Sequence, residues 1–293
     1  MARVTVIGGA GRMGAWFANF LAANGYKVII CDKSEFAARK LAKRHGFKYV
    51  RSETQAAELA NIIILATPTY TTASILRRIL PHISNDALLV EISSIKEPLV
   101  PTIRSLTKHG ADILSIHPMF GPGAKNLEGK AILVAQEPRR NTSARDLLSI
   151  FRKKGANIIR TTLNDHDRIV ASTLGLPHLM NFAFIETLKQ AGLSLRSARA
   201  MGGTTFGLQL LIAESLYHEG LHNEASILAA KYCRQAAAAF AERVSQLKMA
   251  THRSSQNELA KRIRNDAAYV RKDPMFRDAY ELFAAAVEAS THN

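Results

Sequence analysis

Cysteine is nearly absent from this 293-residue chain: Cys31 and Cys233 stand far apart and form no CxxC pair. Neither a disulfide framework nor a structural zinc site is therefore expected, and a reducing compartment fits best. No apolar run approaches the ~18 residues needed to cross a bilayer. Strand-like VTVIGG follows directly on Met1-Ala2-Arg3, which leaves no room for a signal peptide. The expectation is a cytoplasmic protein with no membrane partner. Acidic residues are scarce beside basic ones, 24 against 39, for a formal charge of +15. That excess is spread over both halves, and runs such as KRIR near 261 and RKK at 152 have no interleaved aromatics. They read as solvated helix faces, so nucleic acid is not expected, while a diffuse positive field would still draw in a small anionic substrate.

What is present is the texture of a two-core globular protein, 47% hydrophobic and 22% charged. Up to about residue 162, short β-branched runs alternate with helix-length segments: VTVIGG, KVIICD, NIIILATP, LLVEISS, DILSIHPMF, AILVAQ and NIIRTT. Near-continuous apolar strands of this kind predict a mainly parallel sheet covered on both faces, an α/β Rossmann-type doubly wound fold. Met13, Trp16, Phe17, Phe20 and Leu21 recur at helical spacing, and Asn24-Gly25 marks that helix's end. Beyond residue 165 the chain is Ala-rich with helical periodicity, and only Pro177 and Pro274 of nine prolines fall there. The expected division is residues 1–163, dinucleotide-binding, and 164–293, an all-helical second domain.

The segment GGAGRMG follows the first strand and opens the first helix. Gly9-x-Gly11-x-x-Gly14 in that context reads as a dinucleotide fingerprint: a sharp turn, a close backbone approach to pyrophosphate, and tight helix–strand packing. The helix N-terminus would face the phosphates with its N–H groups. Asp32 ends the second strand at the position where a carboxylate receives the adenosine ribose, which favours NAD over NADP; Lys33 beside it leaves NADP open. The plainer role for Asp32 is to cap the next helix, but Ser34 is expected to serve there.

Ligands of open parallel sheets bind beyond the carboxyl ends of the strands. Thr67-Pro68 would form a rigid loop near the nicotinamide. His117, fixed by Pro118, could accept a proton from an alcohol, and Ser94 could bridge it to a substrate hydroxyl. Their bland alternatives are a turn histidine held by backbone and a helix N-cap. The cofactor set is thus Gly9, Gly11, Arg12, Met13, Gly14, Asp32, Thr67 and Pro68, with no metal site: Asp165-His166-Asp167 has ligand-like spacing but reads as a cap for the first helix of the second domain.

VIGGAGRMG, SSIK at 93–96, HPMFGP at 117–122, NDHD at 164–167 and GLPH at 175–178 together resemble the prephenate dehydrogenase family, particularly its archaeal branch. The resemblance implies NAD-dependent oxidative decarboxylation of prephenate to 4-hydroxyphenylpyruvate, on the route to tyrosine. It implies His117 as acceptor for the ring hydroxyl, Ser94 as the residue orienting both, and His178 as a substrate-holding residue. It also implies a homodimer formed through the helical domain. One departure stands out: where many bacterial members carry a carboxylate-clamping arginine, GGTTFGLQLL offers Gln209. An amide does not equal a bidentate guanidinium, so Lys125, Arg196 and Arg199 are the candidates to replace it. Arogenate dehydrogenase is the alternative within the family. A β-hydroxyacid or imine reductase is disfavoured because HDRIVASTLGLPHLMNF lacks a lysine. A non-catalytic dinucleotide sensor would bind cofactor without turnover.

Overall fold

The computed structural model describes residues 2–138, 140–218 and 220–291, the side chains of Arg253 and Thr291 excepted. The chain divides into two compact units, Met1–Val170 and Ala171–Asn293.

The first unit is built on an eight-stranded sheet: β1 (Arg3–Ile7), β2 (Lys27–Cys31), β3 (Lys48–Tyr49), β4 (Ile62–Leu65), β5 (Leu88–Glu91), β6 (Asp112–Pro118), β7 (Ala131–Gln136) and β8 (Asn157–Arg160). Its order is β3-β2-β1-β4-β5-β6-β7-β8. The first six strands are mutually parallel, as the alternation with helices demands, because a parallel return needs a crossover. β7 pairs antiparallel with β6, since no helix intervenes between them, and β8 returns parallel to β7 after the helix Thr142–Lys153. β3 is absent from the sequence expectation: two residues, Lys-Tyr, carry no apolar pattern.

Alternation along the strands feeds two cores. Val4, Val6, Ile30, Ile64 and Val90 pack with Phe17, Leu21 and Phe151 on one face, and Ile7, Ile29, Ile63, Leu65 and Leu89 with Leu76, Leu99 and Ile103 on the other. The helix Arg12–Ala23 buries Phe17, Ala18 and Leu21 and ends at Asn24, with Gly25 at φ +87° completing the stop. Trp16 stacks on Phe20 and donates its indole N–H to the Ala124 carbonyl at 2.8 Å. Order reverses between β2-β1 and β4-β5, which opens a crevice above the carboxyl ends of β1 and β4.

The second unit contains helices only, among the described residues: Leu176–Gln190, Leu195–Met201, Thr204–Leu216, Leu221–Ala229, Lys231–Arg253, Gln256–Val270 and Ala279–Thr291, besides short turns. A π-turn at Ala171–Gly175 precedes Pro177. A widened turn accommodates a residue that has no N–H and crowds the carbonyl four positions back. Gly175 is required by the neighbouring helix, because a Cβ there would stand 2.5 Å from Cys233 Sγ. Gly202 ends one helix and Gly203 begins the next, which is the break the glycines at 202 and 203 mark.

Two features differ from expectation. The unit boundary falls after Val170 rather than 163, because the turn His166–Val170 is tied to the sheet through its polar side chains. The helical run His166–Gln190 is also long and apolar enough, by length and composition alone, to cross a membrane.

Candidate functional site

The glycine-rich turn shows why these positions hold no side chain. The left-handed residue of the turn is Gly8, φ +79°. Gly9 is required by close approach: a Cβ there would lie 2.8 Å from the Val6 carbonyl and 2.9 Å from Ile30. A Cβ on Gly14 would meet the Gly8 carbonyl oxygen at 2.0 Å, so the helix can rest on the turn only with glycine at its contact. Gly11 is looser, with Gly8 O at 3.1 Å, and it begins the helix with no side-chain cap. The helix N-terminus is thus left for an external anion.

A cleft of about 880 Å³ opens here, lined by Gly8, Ala10, Gly11, Asp32, Thr67 and Pro68 among others. Its size and the bare helix end suit a dinucleotide. Arg12 is exposed on the first helical turn, and Met13 packs partly into the core. Thr67 and Thr72 share a hydroxyl hydrogen bond of 2.9 Å that fixes the loop before the helix Thr69–Ile79. Asp32 accepts the backbone N–H groups of Ala10 at 3.0 Å and Ser34 at 2.9 Å. It therefore braces the glycine turn against the next helix, and Ser34 makes no side-chain cap bond. Each carboxylate oxygen keeps a second lone pair for a ribose hydroxyl. Cys31 on the cleft wall is an inert thiol: burial, with Glu53 and Asp32 nearby, pushes its pKa up to about 12.

A second cluster gathers at the ends of β5 and β6. His117 is 4% exposed, and its Nδ1 lies 3.1 Å from Nε2 of His166, which is fully buried. His166 Nδ1 in turn lies 2.7 Å from Asp167 Oδ1. Asp167 also accepts the backbone N–H groups of Lys96, at 2.8 Å, and Glu97, at 2.7 Å. Asp167 thus caps the segment after β5 rather than its own helix, which Thr162 and Asp165 secure by hydrogen bonds of 2.8 and 3.1 Å. Among the described residues no group of three or more His, Cys, Asp or Glu could hold a metal.

Ser94 is half-buried at the end of β5, and among the described residues it makes no hydrogen bond to His117. Beneath it lies a pair that sequence reasoning passed over. Lys96, fully buried, donates from Nζ to Glu91 Oε1 at 2.6 Å and to the Ile116 carbonyl at 2.7 Å. Glu91 is fully buried too and also accepts the Ser93 N–H at 2.9 Å and the Ser115 hydroxyl. The ammonium therefore grips the peptide that carries His117.

Burial, reinforced by His166 and Lys96, holds the His117 pKa well below the usual histidine range. Burial also lowers His166, against the opposing pull of Asp167. Asp167 would be raised by burial, but hydrogen bonds from His166 and the Lys96 and Glu97 amides bring it below the usual carboxylate value. All three shifts act on stability in one direction. An unfolded histidine takes up a proton near pH ~6.5 that its folded counterpart refuses, so stability is complete above that pH and declines as pH falls below it. Asp167 adds a further loss below about pH 3.9. The urea midpoint is expected to drop on going from about pH 7.5 to 5.5, and His166→Gln should flatten that dependence.

In the second unit His178 is mostly buried, its Nδ1 2.5 Å from Glu224 Oε2, and Glu224 Oε1 is buried without a partner. Gln209 donates to Asn181 Oδ1 at 2.6 Å, one helical turn beyond His178. Lys125 is exposed on the loop between β6 and β7, and Arg196 is exposed on Leu195–Met201. Arg199 is already paired with Glu214 at 2.5 Å.

Comparison with known proteins now decides the family. Residues 17–160 match the model of the prephenate dehydrogenase nucleotide-binding domain. A Methanocaldococcus jannaschii protein described as a probable arogenate/prephenate dehydrogenase is 30% identical over 214 residues, 71% of this chain and 47% of that protein. Residues 17–160 are a nucleotide-binding domain of the prephenate dehydrogenase family. A Haemophilus influenzae protein described as T-protein is 25% identical over 226 residues, 77% of this chain and 55% of its own. The chain spans about half the length of these curated relatives. The crystal structure of Aquifex aeolicus prephenate dehydrogenase with hydroxyphenyl propionate and NAD+ shares the fold, with a TM-score of 0.71 at 19% identity over 93% of this chain and 98% of that one.

Proposed function

We propose that this chain is an NAD-dependent dehydrogenase that oxidatively decarboxylates prephenate to 4-hydroxyphenylpyruvate. The observation that carries the reading is a buried histidine at a strand end of a sheet whose glycine turn suits a dinucleotide. A relative solved with NAD+ and a hydroxyphenyl ligand supports it. Bound NAD would supply the hydride acceptor. Gly9, Gly11, Arg12, Met13 and Gly14 would hold the pyrophosphate, Asp32 the ribose, and Thr67-Pro68 the nicotinamide end. His117 Nε2 takes the proton of the ring hydroxyl as a hydride leaves the same carbon. The ring carboxylate then departs as carbon dioxide, its bonding pair completes the aromatic ring, and the phenolate oxygen takes the proton back from His117 Nε2. Ser94 orients the hydroxyl, and Lys125 holds the rest of the substrate.

Arogenate is the second reading, supported by the double description of the Methanocaldococcus relative. Crossing prephenate and arogenate with NAD and NADP in one spectrophotometric assay tests both. Turnover of prephenate with NAD is expected, and no turnover of either substrate would refute the dehydrogenase reading. We also propose that the helical unit dimerises. Met180, Leu211, Ile212, Val244 and Leu247 are each more than 40% exposed there, and a second copy would cover such a surface.

A further inference from the structure

The proton acceptor assigned to His117 is useful only if its Nε2 carries a lone pair, which is a question of tautomer. A neutral imidazole has one donor and one acceptor nitrogen, and the group bonded to one nitrogen dictates the state of the other. Three buried side chains stand in line: Asp167 Oδ1, then His166 Nδ1 at 2.7 Å, then His166 Nε2 and His117 Nδ1 at 3.1 Å.

Asp167 accepts two backbone N–H groups besides, and these hold its carboxylate in place. As an acceptor it requires the proton of His166 on Nδ1. Nε2 of His166 then offers a lone pair, so the facing Nδ1 of His117 must be the donor. That leaves Nε2 of His117 bare, and no described protein group bonds it. We propose that Asp167 and His166 are positioning residues that lock His117 in the Nδ1–H tautomer, presenting Nε2 as the proton acceptor of the reaction. The inference rests on the dehydrogenase reading only for what Nε2 accepts; the tautomer stands apart from it. When Nε2 takes the substrate proton, the imidazolium's Nδ1–H is directed at His166 Nε2, and the Asp167 carboxylate beyond offsets the positive charge. The logic parallels the aspartate that orients the histidine of serine proteases, where enforcing the wrong tautomer costs ~10⁴-fold. Burial depresses both histidines, which keeps them neutral and in need of a defined tautomer.

The test begins without substrate or cofactor. In the ¹⁵N-histidine-labelled full chain, with His117 assigned by comparison with His117→Asn, two-bond ¹H–¹⁵N spectra should show a protonated Nδ1 and an unprotonated Nε2. A protonated Nε2 on His117 would overturn the proposal whatever the activity proves to be. Two variants then separate positioning from packing. His166→Leu removes the acceptor and should lower kcat about 10- to 100-fold, within the ~10²–10⁴ that a general base contributes, while the NAD dissociation constant stays unchanged. His166→Gln should recover most of that loss, because its carbonyl can accept from His117 Nδ1 while its amide donates to Asp167. Equal loss in both variants, with both folded, would contradict the proposal. If neither variant folds, the wild-type spectrum still decides. Failure of the dehydrogenase reading would instead appear as a correct tautomer with no turnover of either substrate.

Discussion

Replacing His117 with asparagine is expected to lower turnover by about 10²- to 10⁴-fold, the range spanned by a positioned general base. The substitution is chosen for what it preserves. The asparagine amide can still donate towards His166 Nε2, in place of the ring nitrogen now 3.1 Å away, so the buried line from Asp167 keeps its partner. What disappears is the second nitrogen, the one that no described protein group bonds. The glycine turn of Gly8, Gly9 and Gly14 follows β1, not β6, and is untouched. NAD affinity by calorimetry should therefore be unchanged while kcat collapses, the pattern of an interaction made only in the transition state. A variant that retained full turnover would remove His117 from the chemistry and favour a dinucleotide sensor.

The largest effect on stability is expected from Lys96→Met. Lys96 and Glu91 are both fully buried and 2.6 Å apart. Deleting the ammonium leaves a carboxylate in the core with only the Ser93 N–H and the Ser115 hydroxyl to satisfy it. Breaking a buried pair by removing one partner costs about 3–5 kcal/mol, because the remaining charge is uncompensated. Denaturant melts should show a loss of about 3 kcal/mol, at the lower end because two hydrogen bonds remain. Adding Glu91→Gln should return much of it, since a neutral amide carries no buried charge. A single variant as stable as the wild type would mean that the pair contributes nothing. The Ile116 carbonyl, released from Lys96 Nζ, lies one residue before His117, so the single variant should also lose activity beyond its loss of folded protein.

These two residues show where the sequence could be read and where it could not. His117 was legible because its position depends on local facts: an apolar strand, a following proline, and the rule that ligands gather at strand ends. The glycine turn was legible for the same reason, although its left-handed residue, Gly8, stands one position before the Gly9-x-Gly11-x-x-Gly14 pattern. The helix Arg12–Ala23 and its stop at Asn24-Gly25 follow directly from side-chain spacing. Lys96 was not legible, because a lysine after a strand reads as solvent-facing until its tertiary partner is known. The only signal was a carboxylate, Glu91, closing an apolar strand five residues earlier. From sequence, His166 and Asp167 read as a helix cap because their partners lie about 50 to 70 positions away, beyond any local pattern. Asp32 lies in between: its place at the end of β2 was evident, but its two backbone bonds were not.

The central claim is that the amides around residues 9–14 hold a dinucleotide whose redox ring faces His117. A crystal structure of the chain with NAD bound tests it most directly. The account requires the pyrophosphate on the helix N-terminus at Gly11–Met13 and the nicotinamide C4 within a few ångströms of the space beside His117 Nε2. A nicotinamide ring lodged elsewhere, or Nε2 of His117 turned away from it into packed side chains, would contradict the account.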